Sequence, residues 1–440
     1  VNVVISAAGT GAGKTLVAQA LCAALRGVGV RVQPYKIGPD YIDARFYERV
    51  AGRPAYNVDL WLDGLADVRA HVAATRGDAD VLLFEGMMGL YDGDDEGENT
   101  SADVAKALDA EIVIMLDLWA ASQTGAAVAL GLQHFDPDVR IAGVILNRVG
   151  GVAHERAVRA ACASRGIAVL GTVPFDAAYT AADRRLGLDP LAIERRFDAV
   201  ERLGEAIARD WDLAAFMGTT EGVAALEPTT VGNTYARIAY AHDRAFWFTY
   251  PETLTALRAA GAELIAFSPL ADAQVPSGID GLWIGGGYPE DFAAELEANT
   301  SMRRSIDAAA AAGIPTYAEC GGLMHLAESL ETPEGSHAMC GVVGGSTSMR
   351  EPRLHIGYRT ARTCVENPLD GADVPVRGYE YHYANAALAS NPGAYRFDDG
   401  QIDGSAGATL LASFLHRHFL PGSSAISRFV ALCAQDGVSC

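Results

Sequence analysis

The sequence predicts a two-domain α/β protein, and three observations carry that expectation. At 440 residues, half of them hydrophobic, the chain exceeds what one ordinary core accommodates. Short apolar runs alternate with alanine-rich helical stretches in each half, the pattern of parallel strands joined by crossover helices. Between the halves the pattern decays into Gly218-Thr219-Thr220-Glu221-Gly222 and Glu227-Pro228-Thr229-Thr230-Val231-Gly232, which is linker chemistry. The expected division is a first domain over residues 1–217, a linker over 218–235 and a second domain over 236–440.

In the first domain the strand candidates are residues 1–6, 30–35, 81–85, 112–116, 141–147 and 168–173. In the second they are 237–241, 264–267, 281–284 and 315–319, with helical stretches between them. No fixed-period repeat links the halves. A formal charge of -21 argues against a nucleic-acid or acidic-membrane partner, because phosphate recognition needs a basic footprint. No apolar run reaches membrane-spanning length, and residues 1–8 enter a glycine-rich loop without a basic leader, so a cytoplasmic protein is expected. The seven cysteines are odd in number and scattered, which fits reduced thiols. Lysine is nearly absent, with Lys14, Lys36 and Lys106 the only three. A retained lysine in an arginine-rich chain points to a need for a compact ammonium.

Ala8-Gly9-Thr10-Gly11-Ala12-Gly13-Lys14-Thr15 follows an apolar strand and opens a helical run, so the context of a phosphate-binding loop is complete. Backbone N–H groups of Thr10, Gly11, Ala12 and Gly13 would wrap the phosphates of ATP. Lys14 would reach the β and γ phosphates, and the Thr15 hydroxyl would ligate Mg²⁺. Glu85 ends the run Val81-Leu82-Leu83-Phe84 at the edge where open α/β sheets bind ligands. It is either a Mg²⁺ ligand or a solvated strand-end carboxylate. Tyr35-Lys36-Ile37-Gly38-Pro39-Asp40-Tyr41-Ile42-Asp43 should face the same crevice. A plain loop would also suit that composition; the rarity of lysine favours a site.

The segment Lys36-Ile37-Gly38-Pro39-Asp40-Tyr41-Ile42-Asp43 resembles a signature of the cobyrinate a,c-diamide synthases, and Glu85-Gly86-Met87-Met88-Gly89-Leu90-Tyr91-Asp92-Gly93 is similar to their second signature. The first half also resembles dethiobiotin synthetase, a P-loop enzyme that activates a carboxyl-type group as a mixed phosphate anhydride. The resemblance implies that Asp59 and Glu85 join Thr15 around Mg²⁺ and that Asn147 reads the adenine edge. It further implies that Lys36, Asp40, Tyr41, Asp43 and Asp92 orient the substrate or the transferred phosphate.

In the second half, Pro315-Thr316-Tyr317-Ala318-Glu319-Cys320-Gly321-Gly322-Leu323 reads as a strand, a sharp turn of small residues and a helix. That is a nucleophile elbow, in which the helix N-terminus favours a reactive thiolate at Cys320. Gly286 and Gly287, in Trp283-Ile284-Gly285-Gly286-Gly287-Tyr288, offer side-chain-free N–H donors for an oxyanion. Together these segments resemble the class I glutamine amidotransferases, whose fold is flavodoxin-like and whose cysteine releases ammonia from L-glutamine through a thioester. His416 and His418 both compete for the role of base, and the family pattern favours His416. His382 lies outside that pair, where Tyr379 stands at a position usually held by histidine. His325 reads as a core histidine. The glutamate that often follows the active histidine by two positions is His418 here, so a Cys320–His416 dyad is expected with no third acid assigned.

The resemblance implies ATP- and glutamine-dependent amidation of the a and c acetates of cobyrinate or hydrogenobyrinate. ATP would form an acyl phosphate, which ammonia released at Cys320 and carried internally would displace. Hydrogenobyrinate, cobyric-acid intermediates and nickel sirohydrochlorin remain rival macrocycles, and a homodimer is compatible with the reading. A ParA-like switch ATPase carrying an inactive second module is the rival of another class. Cys320 and His416 argue against it.

Overall fold

A computed structural model of the chain describes residues 1–94, 96–176, 190–217, 235–389 and 392–436. The chain divides into two compact units, Val1–Pro228 and Thr229–Cys440. The expected linker lies outside the described residues except for Tyr235.

The first unit is built on β1 (Asn2–Ala7), β2 (Val32–Ile37), β3 (Tyr56–Val58), β4 (Val81–Glu85), β5 (Glu111–Asp117), β6 (Ile141–Val149) and β7 (Val169–Pro174). They pair in parallel in the order β3-β2-β4-β1-β5-β6-β7. Alternate residues feed opposite faces, as the strand period requires. Val3, Ile5, Val81 and Leu83 enter one core, shared with Val17 and Leu21 of the helix Lys14–Gly27. Val4, Leu82 and Phe84 enter the other. A sheet covered on both faces needs continuous apolar strands, which is why these runs were visible in the sequence. The strand β3 was not among the sequence candidates, because three residues carry too short a pattern. Another addition is the helix Pro190–Asp210, whose Phe197, Val200, Leu203 and Ile207 pack on the helix Lys14–Gly27.

In the second unit, β8 (Ala236–Ala241), β9 (Phe246–Phe248), β10 (Ala262–Phe267), β11 (Gly281–Ile284), β12 (Gly286–Gly287) and β13 (Thr316–Glu319) come first. Then follow β14 (Ala327–Thr332), β15 (Gly335–Ala338), β16 (Val343–Ser348), β17 (His355–Thr363), β18 (Pro375–His382), β19 (Asn385–Leu388), β20 (Tyr395–Phe397) and β21 (Ile402–Asp403). The last are β22 (Ser405–Gly407) and β23 (Leu410–Ser413). The main sheet runs β10-β8-β11-β13-β23-β22, parallel except for the β22–β23 pair. Strands β14 to β21 form two further four-stranded sheets, β15-β14-β16-β19 and β18-β17-β20-β21. They stand in sequence between β13 and β23, yet β13 and β23 are neighbours, with Glu319 opposite Ser413. That register brings the end of β13, where Cys320 follows, beside the segment that carries His416.

Candidate functional sites

Cys320 has φ 52° and ψ -106°, a conformation that a non-glycine residue adopts only when its surroundings impose it. Two hydrogen bonds and the start of a helix impose it. Its N–H donates to Ser413 O at 2.8 Å, its carbonyl accepts from Met324 N at 3.1 Å, and the helix Gly321–Leu326 starts directly after it. The small residues that follow are required by space. A Cβ on Gly321 would lie 2.9 Å from Gly287 N, and one on Gly322 would lie 2.2 Å from Ile284 O. The elbow is therefore pressed against the glycine loop, and only hydrogen atoms fit between them. A Cβ on Gly286 would meet His416 Cε1 at 3.4 Å and Cys320 Cβ at 3.5 Å, so this glycine stands beside both reactive side chains.

His416 is buried beside Cys320, and the charge of the cysteine acts on its ring. Its Nδ1 faces Glu319 Oε1 at 3.1 Å. Burial alone would favour the neutral ring, but the charges of Cys320 and Glu319 outweigh it and raise the His416 pKa to about 10. The backbone of His416 is held by a two-way bridge to Tyr379, with N–H to carbonyl distances of 2.8 and 2.9 Å.

The other histidines go elsewhere. His418 Nε2 lies 3.7 Å from Glu252 Oε1, and its ring meets Tyr250 edge-on. His382 is stacked between His355 and Phe414. His325 is fully buried against Phe246, and burial lowers its pKa to about 3.

In the first unit the phosphate-loop motif turns from β1 into the helix Lys14–Gly27, and Gly11 and Gly13 hold φ of 81° and 89°. A side chain at Gly13 would collide with Asn147 Nδ2, 2.5 Å from the position of its Cβ. Lys14 is buried, and its Nζ donates to Gly9 O at 3.0 Å and to Met88 O. Burial, with Lys36 adding to it and Glu85 opposing, lowers its pKa to about 8.

The register pairs Lys36 with Glu85 across β2 and β4. Lys36 Nζ lies 2.7 Å from Glu85 Oε1 and 3.0 Å from Asp43 Oδ2, with Asp40 Oδ2 at 3.7 Å. Burial would strip the ammonium of its charge, but these carboxylates hold its pKa above the ordinary lysine range. The Thr15 hydroxyl reaches Glu85 Oε1 at 2.5 Å and Asp43 Oδ2 at 3.3 Å. Tyr47 donates to Glu85 Oε2 at 2.8 Å. Arg196 donates to Asp43 Oδ1 at 3.0 Å and to Gln19 Oε1 at 3.3 Å. Against burial, Lys36 and Arg196 keep Asp43 well below the usual carboxylate range.

Residues 237–424 match the CobB/CobQ-like glutamine amidotransferase domain, and residues 3–187 match the CobQ/CobB/MinD/ParA nucleotide binding domain. The chain is 38% identical to the cobyrinate a,c-diamide synthase of Syntrophotalea carbinolica, over 98% of this chain and 98% of that one. The chain belongs to the cobyrinate/hydrogenobyrinate a,c-diamide synthase family. Among other members, it is 39% identical to the hydrogenobyrinate a,c-diamide synthase of Mycobacterium tuberculosis, over 98% of both chains. It is 36% identical to the cobyrinate a,c-diamide synthase of Methanosarcina acetivorans, over 95% of this chain and 92% of that one.

Within this a,c-diamide synthase family fold, some residues named from the sequence gather and others do not. Thr15, Lys36, Asp43 and Glu85 form one connected group. Asp40 caps the helix Tyr41–Ala51, accepting from Ile42 N and Asp43 N, and Tyr41 is that helix's first residue. Asp92 accepts from Gly89 N at 2.9 Å within its own turn. Asp59, expected beside Thr15, caps the helix Leu60–Asp63 instead, with Oδ1 accepting from Trp61 N, Leu62 N and Asn99 Nδ2. Asn147 donates to Ala12 O at 2.8 Å and accepts from Arg148 N at 2.9 Å, so its amide braces the phosphate loop. Sequence reasoning missed Arg196 and Glu319. Arg196 carries no local motif, whereas Glu319 stood next to Cys320 in plain view.

Among the described residues no three His, Cys, Asp or Glu side chains form a metal cage. Mg²⁺ does not require one, since it takes one or two carboxylates together with phosphate oxygens and water. The hard oxygens of Thr15, Glu85 and Asp43, drawn to one point, suit that ion. No helix among the described residues is long and apolar enough to cross a membrane.

Proposed function

We propose that this chain amidates the a and c acetate side chains of cobyrinate or hydrogenobyrinate, using ATP and L-glutamine. One observation carries the reading. A complete phosphate loop and a buried Cys320–His416 pair occur in one chain that aligns across 98% of its length with synthases bearing that name. A ParA-like switch would have no use for the second of these.

In the glutaminase half-reaction, the Cys320 sulfur attacks the glutamine amide carbon. The carbonyl oxygen, gaining negative charge, lies toward the N–H groups of Gly286 and Gly287. His416 gives its proton to the departing nitrogen, leaving ammonia and a thioester. It then takes a proton from water as that water attacks, releasing glutamate and restoring the thiolate. In the synthetase half-reaction, Thr10 to Gly13 and Lys14 hold the ATP phosphates while a corrin acetate attacks the γ-phosphorus, breaking its bond to the β-phosphate oxygen so that ADP leaves. Ammonia then displaces phosphate from the acyl phosphate. Thr15 and Glu85 would hold Mg²⁺, with Asp43 better placed than Asp59 as a further oxygen. The ion, when bound, neutralises the charge that develops on the phosphate oxygens. Lys36, Asp40, Tyr41 and Asp92 belong to the same strand edge and would orient the acetate. Two turnovers would consume two ATP and two glutamines.

The test is purified protein with ATP, Mg²⁺ and glutamine, supplied in turn with cobyrinate, hydrogenobyrinate and nickel sirohydrochlorin, and amides read by mass. Diamide from either of the first two is the expected result. Amidation of none of them overturns the proposal.

A further inference from the structure

A Cys–His pair needs something to hold the imidazole in one orientation and one tautomer, with a single nitrogen facing the sulfur. The position two residues after His416, where such an acid would be sought, is His418. That ring is buried against Glu252 and Tyr250. Glu319 meets the requirement from the other side. It is the last residue of β13, 5% exposed, and Oε1 lies 3.1 Å from His416 Nδ1. With Nδ1 committed to the carboxylate, Nε2 is the nitrogen left for the sulfur.

Glu319 is itself fixed. Its Oε2 accepts from the Tyr317 hydroxyl at 2.6 Å and from Arg417 N at 3.2 Å. Tyr317 and Glu319 stand two apart on one strand and so share a face. Cys320, next in sequence, would point away were it not for its positive φ, which turns the thiol to the imidazole. The donors on Oε2 keep this carboxylate an acceptor. The neighbouring charges are accounted for: the Arg417 guanidinium pairs with Asp370, and Tyr288 lies on the Cys320 side with Tyr381, Glu290 and Asp291 near it.

We infer that Glu319 is the positioning acid of the glutaminase site, holding the His416 ring through Nδ1 with Tyr317 as its own support. The expected dyad is a Tyr317–Glu319–His416–Cys320 relay of fixed orientations. The proton moves only between His416 Nε2, the departing ammonia and the incoming water. Glu319 accepts from Nδ1 and stabilises the imidazolium. The inference rests on reading Cys320 as a glutaminase nucleophile.

The experiment is Glu319→Gln in the full chain, followed by glutamate release from L-glutamine across pH. Amidation supported by ammonium chloride in the same preparation reports the integrity of the rest of the protein. The kcat for glutamate release should fall about 10²- to 10⁴-fold with KM within about threefold. Because Glu319 raises the His416 pKa, the alkaline limb of the profile should move to lower pH. Ammonia-supported amidation should stay within about twofold, and Glu319→Asp should recover part of kcat and of the alkaline limb.

A kcat within about threefold of wild type, or a loss of activity with the alkaline limb unmoved, overturns the inference. If Glu319→Gln does not fold, Tyr317→Phe and Glu319→Asp decide. Both should lower kcat with KM held, and no change in either sinks the idea. A wild-type chain that releases no glutamate overturns the glutaminase reading itself, and this inference with it. A wild-type chain that releases glutamate but amidates no corrin overturns only the substrate assignment, and the glutamate assay still decides the role of Glu319.

Discussion

The two reactive ends of this chain are organised on opposite principles. At the glutamine end the polar contacts aim the reactive atoms at one another. Glu319 turns His416, His416 faces Cys320, and Gly286 leaves space beside both. At the nucleotide end the polar groups hold each other. Thr15 is bonded to Glu85, Lys36 to Glu85 and Asp43, Lys14 to the loop's own carbonyls, and Asn147 to Ala12 O. Covalent chemistry needs its geometry in place before the substrate arrives, because an error of an ångström is costly. Phosphate binding can work by exchange of partners, in which donors and acceptors satisfied internally are handed to the ligand. Burial without such partners would leave Lys36 and Glu85 as isolated charges, at a cost of several kcal/mol each.

The sharpest way to break this contrast is Cys320→Ala. Glutamine-dependent amidation should fall at least about 10³-fold while ammonia-supported amidation persists, read side by side on one preparation. Should both activities vanish in a folded variant, the two ends are not separable. Lys14→Met is the mirror image. It should reduce ATP-dependent amidation by about 10² to 10³ and leave basal glutamate release measurable.

The metal question sharpens the nucleotide end. Asp43→Asn should lower amidation about 10²-fold and raise the Mg²⁺ concentration required. Asp59→Asn should mainly shift the melting midpoint, by the roughly 0.5–2 kcal/mol that a helix cap contributes. The reverse ranking would restore Asp59 to the metal.

An effect confined to acid pH concerns His325, whose two ring nitrogens have no hydrogen-bond partner among the described residues. Its pKa falls from 6.5 to about 3 in the fold. Between those values the unfolded chain binds a proton that the folded chain refuses, so stability drops as pH falls. The slope is at most roughly 1.4 kcal/mol per pH unit. His325→Leu should flatten that part of the denaturation profile relative to wild type.

What the sequence made legible follows the range of the interactions involved. The phosphate loop and the cysteine elbow are local, each a strand, a turn and a helix start within about a dozen residues, and their apolar strands announce themselves because both faces of each sheet are covered. Glu319 was read as part of the elbow and given no role. Its partner is set by the β13–β23 register, a pairing across nearly a hundred residues that no local pattern displays. Asp59 and Asn147 show how one residue type can serve more than one purpose. Their residue types suit a metal and a base, but the same oxygen and amide groups also suit a helix cap and a loop brace, and those uses are the ones the structure presents. Strands β14 to β21 escaped notice because several are short and carry no apolar run or clear alternation, as in GSHA of β15 and NAAL of β19.

The placement of those eight strands has a consequence for how the protein is made. Cys320 emerges from the ribosome well before His416, and the strand that neighbours β13 is among the last of the sheet to be synthesised. Until β23 docks, the cysteine has no base, Glu319 has no imidazole to hold, and Ser413 O is not there to bend the elbow. A half-made chain therefore lacks the histidine and the carbonyl that set the geometry around the cysteine, and the site is complete only when the second unit closes its sheet. The long stretch between nucleophile and base thus places completion of the site after synthesis of the eight strands β14 to β21.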